Sequence, residues 1–458
     1  MSVPGPNMLV AGKKVVVVGM ARSGLAAAEF LSKRGASVKV SDKRPEEELK
    51  AEVEFLRRND IAYEVGGHVE RSFLDADLVV VSPGVPFRLP VLQRAFESGK
   101  EVIGEVELAS RFLRGRVIGI TGSNGKTTTT TLVGEMLKTS GFSTQVGGNI
   151  GTALTSLVDQ STPETITVIE LSSFQLEAIP TFRPDIAVLL NITPDHMDRY
   201  DSFDDYARAK LNILKNQRPS DCAVLNLEDD ILRRSGESIG SRAFWFSTRS
   251  EVRQGTYADG EQFIFCSATQ KETVARLGEI QLRGGHNLEN IAAAITAARL
   301  VDAPTTFIAE TLRRFQGVEH RLELVAEING VKFYNDSKAT NTDATIKALE
   351  SFKGGILLIL GGRDKGSDFR VLRSLVKERV KNLIILGEAS EKIGHQLSGL
   401  VPITQAENLE VATQMAFEKA RPGDVVLLAP ACASFDMFQN YEHRGRVFKE
   451  SVQRLMGS

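Results

Sequence analysis

The sequence predicts an α/β protein built from three domains, each with a largely parallel sheet. Short apolar, β-branched runs alternate with helical stretches along all 458 residues, which is typical of parallel sheets covered by helices. The strand–loop–helix pattern restarts twice, near residue 113 and near residue 317. A composition of 42% hydrophobic and 25% charged residues indicates a globular chain that buries several cores. We therefore expect domains at residues 1–112, 113–317 and 318–458.

The charge balance and the cysteines argue against several classes of protein. A net charge of -2 provides no global field that would attract nucleic acid or an anionic membrane. The three cysteines lie far apart, in neither a disulfide framework nor a zinc-ligand spacing. The N-terminus lacks the order of a signal peptide, and the apolar runs are too short to cross a bilayer. We expect a cytoplasmic monomer with no nucleic-acid or membrane partner.

The first domain opens with a buried strand and a glycine turn, VVVVGMARSG at residues 15–24. Further strands are VKVSD (38–42) and LVVVSPGVP (78–86). Ala21 replaces the middle glycine of the G-x-G-x-x-G fingerprint, the glycine that lets the backbone approach a pyrophosphate. NAD or FAD binding is therefore disfavoured, and a Rossmann-like domain for another nucleotide fits better. Rossmann-like packing without such a ligand is the alternative.

The second domain carries a phosphate-binding loop. TGSNGKTTT (121–129) follows an apolar strand and precedes a helical run, the context that such a loop requires. Backbone N–H groups and the helix N-terminus attract phosphate there. Lys126 can reach the β- and γ-phosphates, and the Thr127 hydroxyl can ligate Mg²⁺. The strict motif has glycine where this chain has Ile120, so a glycine-rich turn with an unrelated lysine is the alternative. We predict nucleoside triphosphate binding.

Polar side chains follow the next strands of this domain. The strand TITVIEL leads to Glu170, where a carboxylate can be a second Mg²⁺ ligand, or else cap a helix. His196 follows the strand DIAVLLN (185–191), with a metal or substrate role and a purely structural role equally open. From composition alone, Lys210 in the helical run YARAKLNIL is a solvated surface lysine.

The remaining elements complete the α/β pattern. The second domain continues with the strand CAVLN (222–226) and a polar, β-rich stretch at about 240–282. It ends with a helix over 284–300, in which Asn287 and Asn290 share a face and either read an adenine edge or cap the helix. The third domain has the strands VKFYND, GILLILGG, NLIILG and DVVLLAP.

A series of motifs resembles a known family. The chain contains, in this order, TGSNGKT, ELSSFQLE, NITPDHMDRY with YARAK, GGHNLEN, VEHR, NDSKATN, GGRDKGSDF and APACASFDMF. In these motifs, which span about three-quarters of the chain, it resembles the Mur ligases. NDSKATN (335–341) and APACASFDMFQNYEHRG (429–445) resemble the member that adds D-glutamate to UDP-N-acetylmuramoyl-L-alanine.

The resemblance implies a fold, a reaction and cofactors. The domains would be a Rossmann-like UDP-binding domain, a P-loop domain for ATP and a Rossmann-like domain for the amino acid. The reaction would be ATP-dependent amide formation through an acyl phosphate, in the synthesis of peptidoglycan precursors. The implied cofactors are two Mg²⁺ ions and a carbamate on Lys210 formed from CO₂, which turns a cation into an anionic metal ligand.

The resemblance also assigns residues to each substrate. Those for ATP are Gly122, Asn124, Gly125, Lys126, Thr127, Thr128, Asn287, Asn290, Arg321 (γ-phosphate) and Asp336 (ribose). Those for the UDP substrate are Arg22, Ser23, Asp42, Lys43, Arg44, Ser82, Pro83, Gly84, Asn149, Ser172 and Gln175. Those for D-glutamate are His196, Lys338, Thr340, Lys365, Ser434 and Tyr441. The metal ligands are Thr127, Glu170, His196 and Lys210, and the catalytic set is Lys126, Glu170, His196 and Lys210.

Two departures and three other functions are weighed against this assignment. Tyr441 stands where the family pattern has phenylalanine, and Arg363 stands where some relatives place an acid. A folate-polyglutamate or other amino-acid ligase would need a pterin pocket in place of the first domain. A nucleotide-driven switch or transport ATPase would lack the polar cluster of the third domain. An oxidoreductase is disfavoured by Ala21.

Overall fold

The computed structural model describes residues 10–456, apart from residues 150, 196, 198, 283 and 365. It consists of two compact units, Met1–Ile280 with His286–Arg314 and Gln281–Gly285 with Phe315–Ser458. The first unit contains two sheets and the second contains a third sheet. The prediction of an α/β protein with three sheet domains is therefore confirmed, and the boundaries at residues 112 and 317 stay predictions.

The first sheet has five parallel strands in the order β3-β2-β1-β4-β5. The strands are β1 (Lys14–Val18), β2 (Ser37–Ser41), β3 (Ala62–Glu64), β4 (Leu78–Val81) and β5 (Glu101–Gly104). The helices are α1 (Arg22–Lys33), α2 (Lys50–Arg58), α3 (Glu70–Leu74), α4 (Pro90–Glu97) and α5 (Glu105–Ser110). The strand order reverses between β1 and β4, and in open parallel sheets ligands bind beyond the carboxyl ends of the strands at this position.

The second sheet has nine strands in the order β14-β13-β12-β11-β10-β9-β6-β8-β7. The strands are β6 (Arg116–Thr121), β7 (Thr144–Gly148), β8 (Ile166–Glu170), β9 (Ile186–Leu189), β10 (Cys222–Asn226), β11 (Arg242–Ser247), β12 (Gly255–Ala258), β13 (Gln262–Cys266) and β14 (Lys271–Arg276). The helices are α6 (Lys126–Thr139), α7 (Ser173–Leu176), α8 (Phe203–Leu211), α9 (Asp230–Gly236), α10 (Gly285–Arg299) and α11 (Thr305–Arg314). The predicted polar stretch at 240–282 forms β11 to β14, of which the last three pair antiparallel.

The third sheet has six strands in the order β15-β16-β20-β17-β18-β19, with β15 antiparallel to β16. The strands are β15 (Glu323–Ile328), β16 (Val331–Asn335), β17 (Ile356–Gly361), β18 (Val380–Leu386), β19 (Ile403–Gln405) and β20 (Val425–Leu428). The helices are α12 (Thr342–Glu350), α13 (Arg373–Arg379), α14 (Ser390–Gln396), α15 (Leu409–Lys419) and α16 (Tyr441–Met456).

Buried carboxylates join the first sheet domain to the second. Glu105, the first residue of α5, accepts hydrogen bonds from the backbone N–H (2.7 Å) and the hydroxyl (2.8 Å) of Thr155. Glu107, two residues further, accepts from the N–H groups of Thr181 (3.0 Å) and Phe182 (2.8 Å). These hydrogen bonds cross from the first sheet domain to the second, and the two domains form one compact unit. Among the described helices, none is long and apolar enough to cross a membrane.

Candidate active site

The phosphate loop lies between β6 and α6, as predicted. Gly125 precedes the first helical residue, Lys126, and adopts a left-handed conformation with φ of 85°. A Cβ atom at this position would lie 2.1 Å from the Asn290 side-chain oxygen, so only glycine fits between the loop and α10. Asn290 donates to Asn287 at 3.2 Å, and both amides are buried. The structure therefore brings the predicted adenine-reading pair against the phosphate loop.

The position of Ile120 explains why this loop departs from the strict motif. Ile120 is still within β6, where it pairs with Glu170 of β8 and Val188 of β9. The chain leaves the sheet only at Gly122, which has a φ of 155°. A branched apolar side chain is favoured inside a buried strand, whereas glycine is needed only after the strand ends. The loop therefore starts later than the motif assumes.

Two lysine amines converge on one carbonyl of this loop. The Lys126 ammonium donates to the carbonyl oxygens of Gly122 (2.7 Å) and Ser123 (2.8 Å). The Lys210 amine, which comes from α8, donates to the same Gly122 oxygen at 2.8 Å. A positive charge on either amine disfavours a charge on the other, so an anion bound here would be stabilised.

Lys210 is a buried residue, and the interpretation of it as a solvated lysine is wrong. Its side chain is 2% exposed, and its amine lies 4.7 Å from the centre of the Tyr206 ring. Burial, followed by the nearby charge of Lys126, holds the pKa of the Lys210 amine well below its usual value. The carboxylates of Asp195 and Glu170 only partly oppose this shift.

Glu170 presents one carboxylate oxygen that suits a cation. The residue ends β8 and is 1% exposed. One oxygen accepts a hydrogen bond from the Asn149 amide at 2.8 Å, and the other is buried without a hydrogen-bond partner among the described residues. Thr127, the second residue of α6, is buried at the same loop. A hydroxyl and a carboxylate are ligands that Mg²⁺ accepts beside phosphate oxygens, so the residues fit a magnesium ion.

Ser172 and Gln175, assigned to the UDP substrate, have a local structural role. The Ser172 hydroxyl accepts from the Gln175 backbone N–H, and the Gln175 side chain accepts from the Ser172 N–H. This capping box satisfies the first turn of α7, so Glu170 is not the cap. Both residues closely follow Glu170 in the chain, and the capping box links them to each other.

A group of residues that was not predicted from the sequence contacts the phosphate loop. The Ser123 hydroxyl donates to the Thr193 carbonyl at 2.8 Å and lies 2.9 Å from the Tyr206 hydroxyl. The Asn191 side chain accepts from the Asn124 N–H at 2.8 Å. Asn191 and Thr193 belong to the motif NITPDHMDRY and Tyr206 belongs to YARAK. These motifs therefore contact the loop, which was a signal available in the sequence.

The residues of the first domain that are assigned to the UDP substrate lie at the carboxyl edge of the first sheet, where the strand order reverses. Asp42, after β2, accepts the Met20 N–H (2.8 Å) and the Arg44 side chain (2.9 Å and 3.1 Å). Burial alone would raise the pKa of Asp42, but the hydrogen bonds from Arg44 and Met20 lower it to about 2. The Ser82 hydroxyl, after β4, donates to the Gly19 carbonyl at 3.2 Å.

The helix that follows this turn lies close to it. A Cβ atom on Gly24 would lie 1.9 Å from the Gly19 carbonyl, which explains the glycine there. Arg22 and Ser23 form the start of α1 at this edge of the sheet. Lys43, Pro83 and Gly84 follow β2 and β4, so the structure brings the assigned residues of the first domain together. An acidic, buried Asp42 with an arginine beside it provides hydrogen-bonding groups suited to a nucleobase and a diphosphate.

In the second unit, the loops after β16 and β20 carry three of the six residues assigned to the amino acid. The Lys338 ammonium lies 5.3 Å from the centre of the Tyr441 ring. Thr340 is half-buried two residues further, and Ser434 is buried in the loop after β20. Arg363, which differs from the acid that some relatives have at this position, forms a bidentate ion pair with Glu388 at 2.8 Å and 3.1 Å. His196 and Lys365 lie outside the described residues.

Asp336, assigned to the ATP ribose, is an unusual buried acid. It follows β16, is 8% exposed and accepts the Leu322 N–H at 3.2 Å. Burial raises the pKa of Asp336 to about 7, although the charges of Arg321 and Lys338 act in the opposite direction. At neutral pH this carboxyl is therefore poised between its two protonation states.

The raised pKa of Asp336 predicts a pH-dependent stability. Asp336 stabilises the folded chain fully below 3.8, its unfolded value, and this contribution is lost as the pH rises through about 7. An asparagine side chain cannot ionise and can still accept from Leu322, so Asp336→Asn is expected to raise the Tm above about pH 8. The Tm difference should vanish as the pH falls, and thermal unfolding across pH measures it. Exposed Glu407, changed to Gln, is the control, and a Tm difference independent of pH would contradict the expectation.

Comparison with known proteins identifies the family. Models of three domains match: "Mur ligase MurD-like, N-terminal domain" over residues 13–104, "Mur ligase middle domain" over 120–298 and "Mur ligase, glutamate ligase domain" over 320–432. The chain is 52% identical to the UDP-N-acetylmuramoylalanine–D-glutamate ligase of Acidobacterium capsulatum, with 98% of both chains covered. It is 49% identical to the enzyme of that name from Koribacter versatilis, over 98% of this chain and 99% of that one.

A solved structure has the same fold. The MurF ligase of Thermotoga maritima, in complex with ADP, aligns with a TM-score of 0.61 over 98% of this chain and 97% of that chain, at 18% identity. The order of the matched domain models agrees with the order of the three sheets described above. The chain belongs to the Mur ligase family.

Proposed function

We propose that this chain is the ATP-dependent ligase that adds D-glutamate to UDP-N-acetylmuramoyl-L-alanine during peptidoglycan synthesis. The observation that carries it is the convergence of Lys126 and Lys210 on the Gly122 carbonyl, together with a buried Glu170 oxygen that has no hydrogen-bond partner in the part of the chain that the structure describes. The Lys126 amine would bind a phosphoryl group, and the carboxylate oxygen would bind a cation. Relatives of that name are 52% and 49% identical over nearly the full chain.

The reaction follows from the chemistry of a carboxylate. A carboxylate does not acylate an amine directly, because its leaving group would be oxide. An oxygen of the alanyl carboxylate attacks the γ-phosphorus of ATP, ADP leaves, and an acyl phosphate forms. The D-glutamate amine then attacks the acyl carbon, the tetrahedral intermediate expels phosphate, and an amide remains. Catalysis of this kind depends on positioning and on neutralising phosphate charge.

Each described residue has a part in this scheme. Lys126 offsets the charge of the phosphoryl group in transfer, and the loop N–H groups and the start of α6 bind its oxygens. Asn287 and Asn290 read the adenine, and Asp336 and Arg321 bind the ribose and the γ-phosphate. Mg²⁺, held by Thr127 and Glu170, supplies charge neutralisation at the phosphates when it is bound.

The finer assignments rest on the family resemblance. We propose that the Lys210 amine reacts with CO₂ to give a carbamate and a proton, and that the carbamate and His196 hold a second Mg²⁺. We assign the diphosphate and uracil of the substrate to the edge of the first sheet that holds Arg22 and Asp42, and D-glutamate to the loops that hold Lys338 and Ser434. We place the enzyme in the cytoplasm, where ATP is available, as a monomer.

Phosphate release with each glutamate enantiomer tests this function. Purified protein with ATP, Mg²⁺ and UDP-N-acetylmuramoyl-L-alanine is expected to release phosphate only when D-glutamate is present. The two enantiomers place the amine and the two carboxylates differently in one pocket, so a pocket that fits D-glutamate is expected to reject L-glutamate. L-Alanine and buffer alone are the controls. Equal release with L-glutamate, or release with neither form, would refute the assignment.

A further inference from the structure

Arg444 is a buried cation to which the reaction above gives no role. It lies in the first turn of α16 and is 2% exposed. Its Nε donates to the Ser337 hydroxyl (3.0 Å) and its Nη2 to the Ser337 carbonyl (2.8 Å). Its Nη1 donates to the carbonyls of Cys432 (3.1 Å) and Ala433 (3.4 Å). Among the described residues, these acceptors are all neutral oxygens, so the cation has no bonded carboxylate.

A charge buried in this way is expensive. Arginine is rarely buried without an ionic partner, because desolvation of the guanidinium exceeds what neutral acceptors return. Burial lowers the pKa of Arg444 to about 10, so the group remains charged at neutral pH. In some proteins, buried polar or ionic groups of this kind specify one conformation.

The conformation that Arg444 fixes is that of two loops at the carboxyl edge of the third sheet. Ser337 lies in the loop after β16, and Cys432 and Ala433 lie in the loop after β20. These two strands are parallel neighbours, so their loops leave the same edge side by side. The planar guanidinium spans both loops with its donors in fixed directions.

The hydrogen bonds hold two peptide groups at both of their polar ends. The Ser337 carbonyl accepts from Arg444, and the N–H of the same peptide, at Lys338, donates to the His320 carbonyl at 3.1 Å. The Cys432 carbonyl accepts from Arg444, and the N–H of that peptide, at Ala433, donates to the Arg363 carbonyl at 3.0 Å. The backbone is therefore fixed immediately before Lys338 and one residue before Ser434.

We propose that Arg444 is a positioning residue for the amino-acid substrate, which sets the spacing of the Lys338 loop and the Ser434 loop. The inference rests on the proposed D-glutamate pocket, since Lys338, Thr340 and Ser434 are its assigned contacts. A substrate with two carboxylates needs cations and hydroxyls at a defined separation, and small errors in position weaken binding strongly.

Steady-state kinetics of Arg444→Lys test the proposal. Lysine keeps the charge but has one nitrogen, which cannot span both loops. The KM for D-glutamate is expected to rise about tenfold or more, while the KM values for ATP and for UDP-N-acetylmuramoyl-L-alanine change less than about twofold. Ser337→Ala removes the Nε acceptor with little change in volume and should raise the same KM by about threefold. This second variant decides the matter if Arg444→Lys does not fold.

Asp424→Asn is the matched control. Asp424 is buried before β20, at the other end of the same sheet, where it accepts from Lys381 at 2.5 Å. Its loss should lower the Tm while leaving the KM for D-glutamate within about twofold of normal. A KM that rises equally in this control, or stays normal in folded Arg444→Lys and in Ser337→Ala, would overturn the positioning role.

Lys338→Met separates this inference from the pocket on which it depends. Lys338 is an assigned contact, so the KM of this variant for D-glutamate should rise even when both loops are held in place. A raised KM in Lys338→Met with a normal KM in the Arg444 and Ser337 variants means that the pocket is correct and the positioning role is wrong. A normal KM in Lys338→Met means that the pocket assignment itself fails, and the inference fails with it.

Discussion

Replacing Lys126 with alanine is expected to lower the rate of phosphate release by about 10²–10³-fold, because single charge-stabilising donors are worth about that much in kcat. Lys126 follows the glycine turn, and its ammonium donates to the loop carbonyls of Gly122 and Ser123. The other lysine at this loop, Lys210, cannot replace the lost charge, since it is the proposed site of an anionic carbamate. Rapid detection of phosphate at saturating substrates measures the effect.

The fold of the Lys126→Ala variant should survive. The Gly122 carbonyl that loses its bond to Lys126 still accepts a hydrogen bond from the Lys210 amine at 2.8 Å. Lys138→Ala is the control on the same helix, because Lys138 is exposed and pairs with Glu135 at 3.0 Å, away from the loop. It should retain normal activity and a normal Tm. Near-normal phosphate release by Lys126→Ala would remove the loop from its assigned role.

The parts of this enzyme that depend on local pattern are those that the sequence predicts well. β6, Gly125 and Lys126 appear in the structure in the register that TGSNGKTTT requires. Glu170 ends β8, and β8 is a parallel neighbour of β6. Because parallel strands have their carboxyl ends at one edge of the sheet, Glu170 lies at the same edge as the phosphate loop. A strand followed by a polar residue therefore locates a site residue without knowledge of tertiary packing.

Burial of charge is what the sequence alone does not reveal. Lys210 and Arg444 each lie in helices rich in charged residues, where a cation is normally solvated. Whether such a side chain points inward depends on which helix face packs on the sheet, which is a property of the tertiary structure. Tyr206 and Lys210 are four residues apart and share the buried face of α8. An aromatic residue one turn earlier was the available signal.

A sequence motif also does not show which of its residues have a structural role. ELSSFQLE matches a family pattern, but the pattern does not say that Ser172 and Gln175 form a capping box. Likewise, Asn149 matches a substrate-binding position of the family, but in the structure its amide donates to the Glu170 carboxylate. Asn149 therefore orients this carboxylate. Motif residues therefore include those that touch ligands and those that hold the contacting residues in place.

Replacing Lys210 with methionine is expected to lower the rate of amide formation by about 10³-fold, comparable to the loss of a metal-ligand group in the transition state. Methionine has a similar length and suits the buried site beside Tyr206. It cannot form a carbamate, so the proposed second metal site would lose its anionic ligand. Lys215→Ala, at an exposed lysine just beyond α8, is the control and should leave activity unchanged.

The carbamate itself is tested on the wild-type enzyme. Only a neutral amine attacks CO₂, and the buried setting of Lys210, next to the charge of Lys126, disfavours its cationic form by lowering its pKa. Enzyme equilibrated with ¹³C-labelled bicarbonate should therefore show one protein-bound carbamate carbon by NMR, absent from Lys210→Met and present in Lys215→Ala. Activity should fall in CO₂-depleted buffer and return when bicarbonate is added. A full rate without CO₂, and no labelled carbon on the wild-type protein, would mean that Lys210 acts as a plain amine, which would then serve as a second cation at the phosphoryl group rather than as a metal ligand.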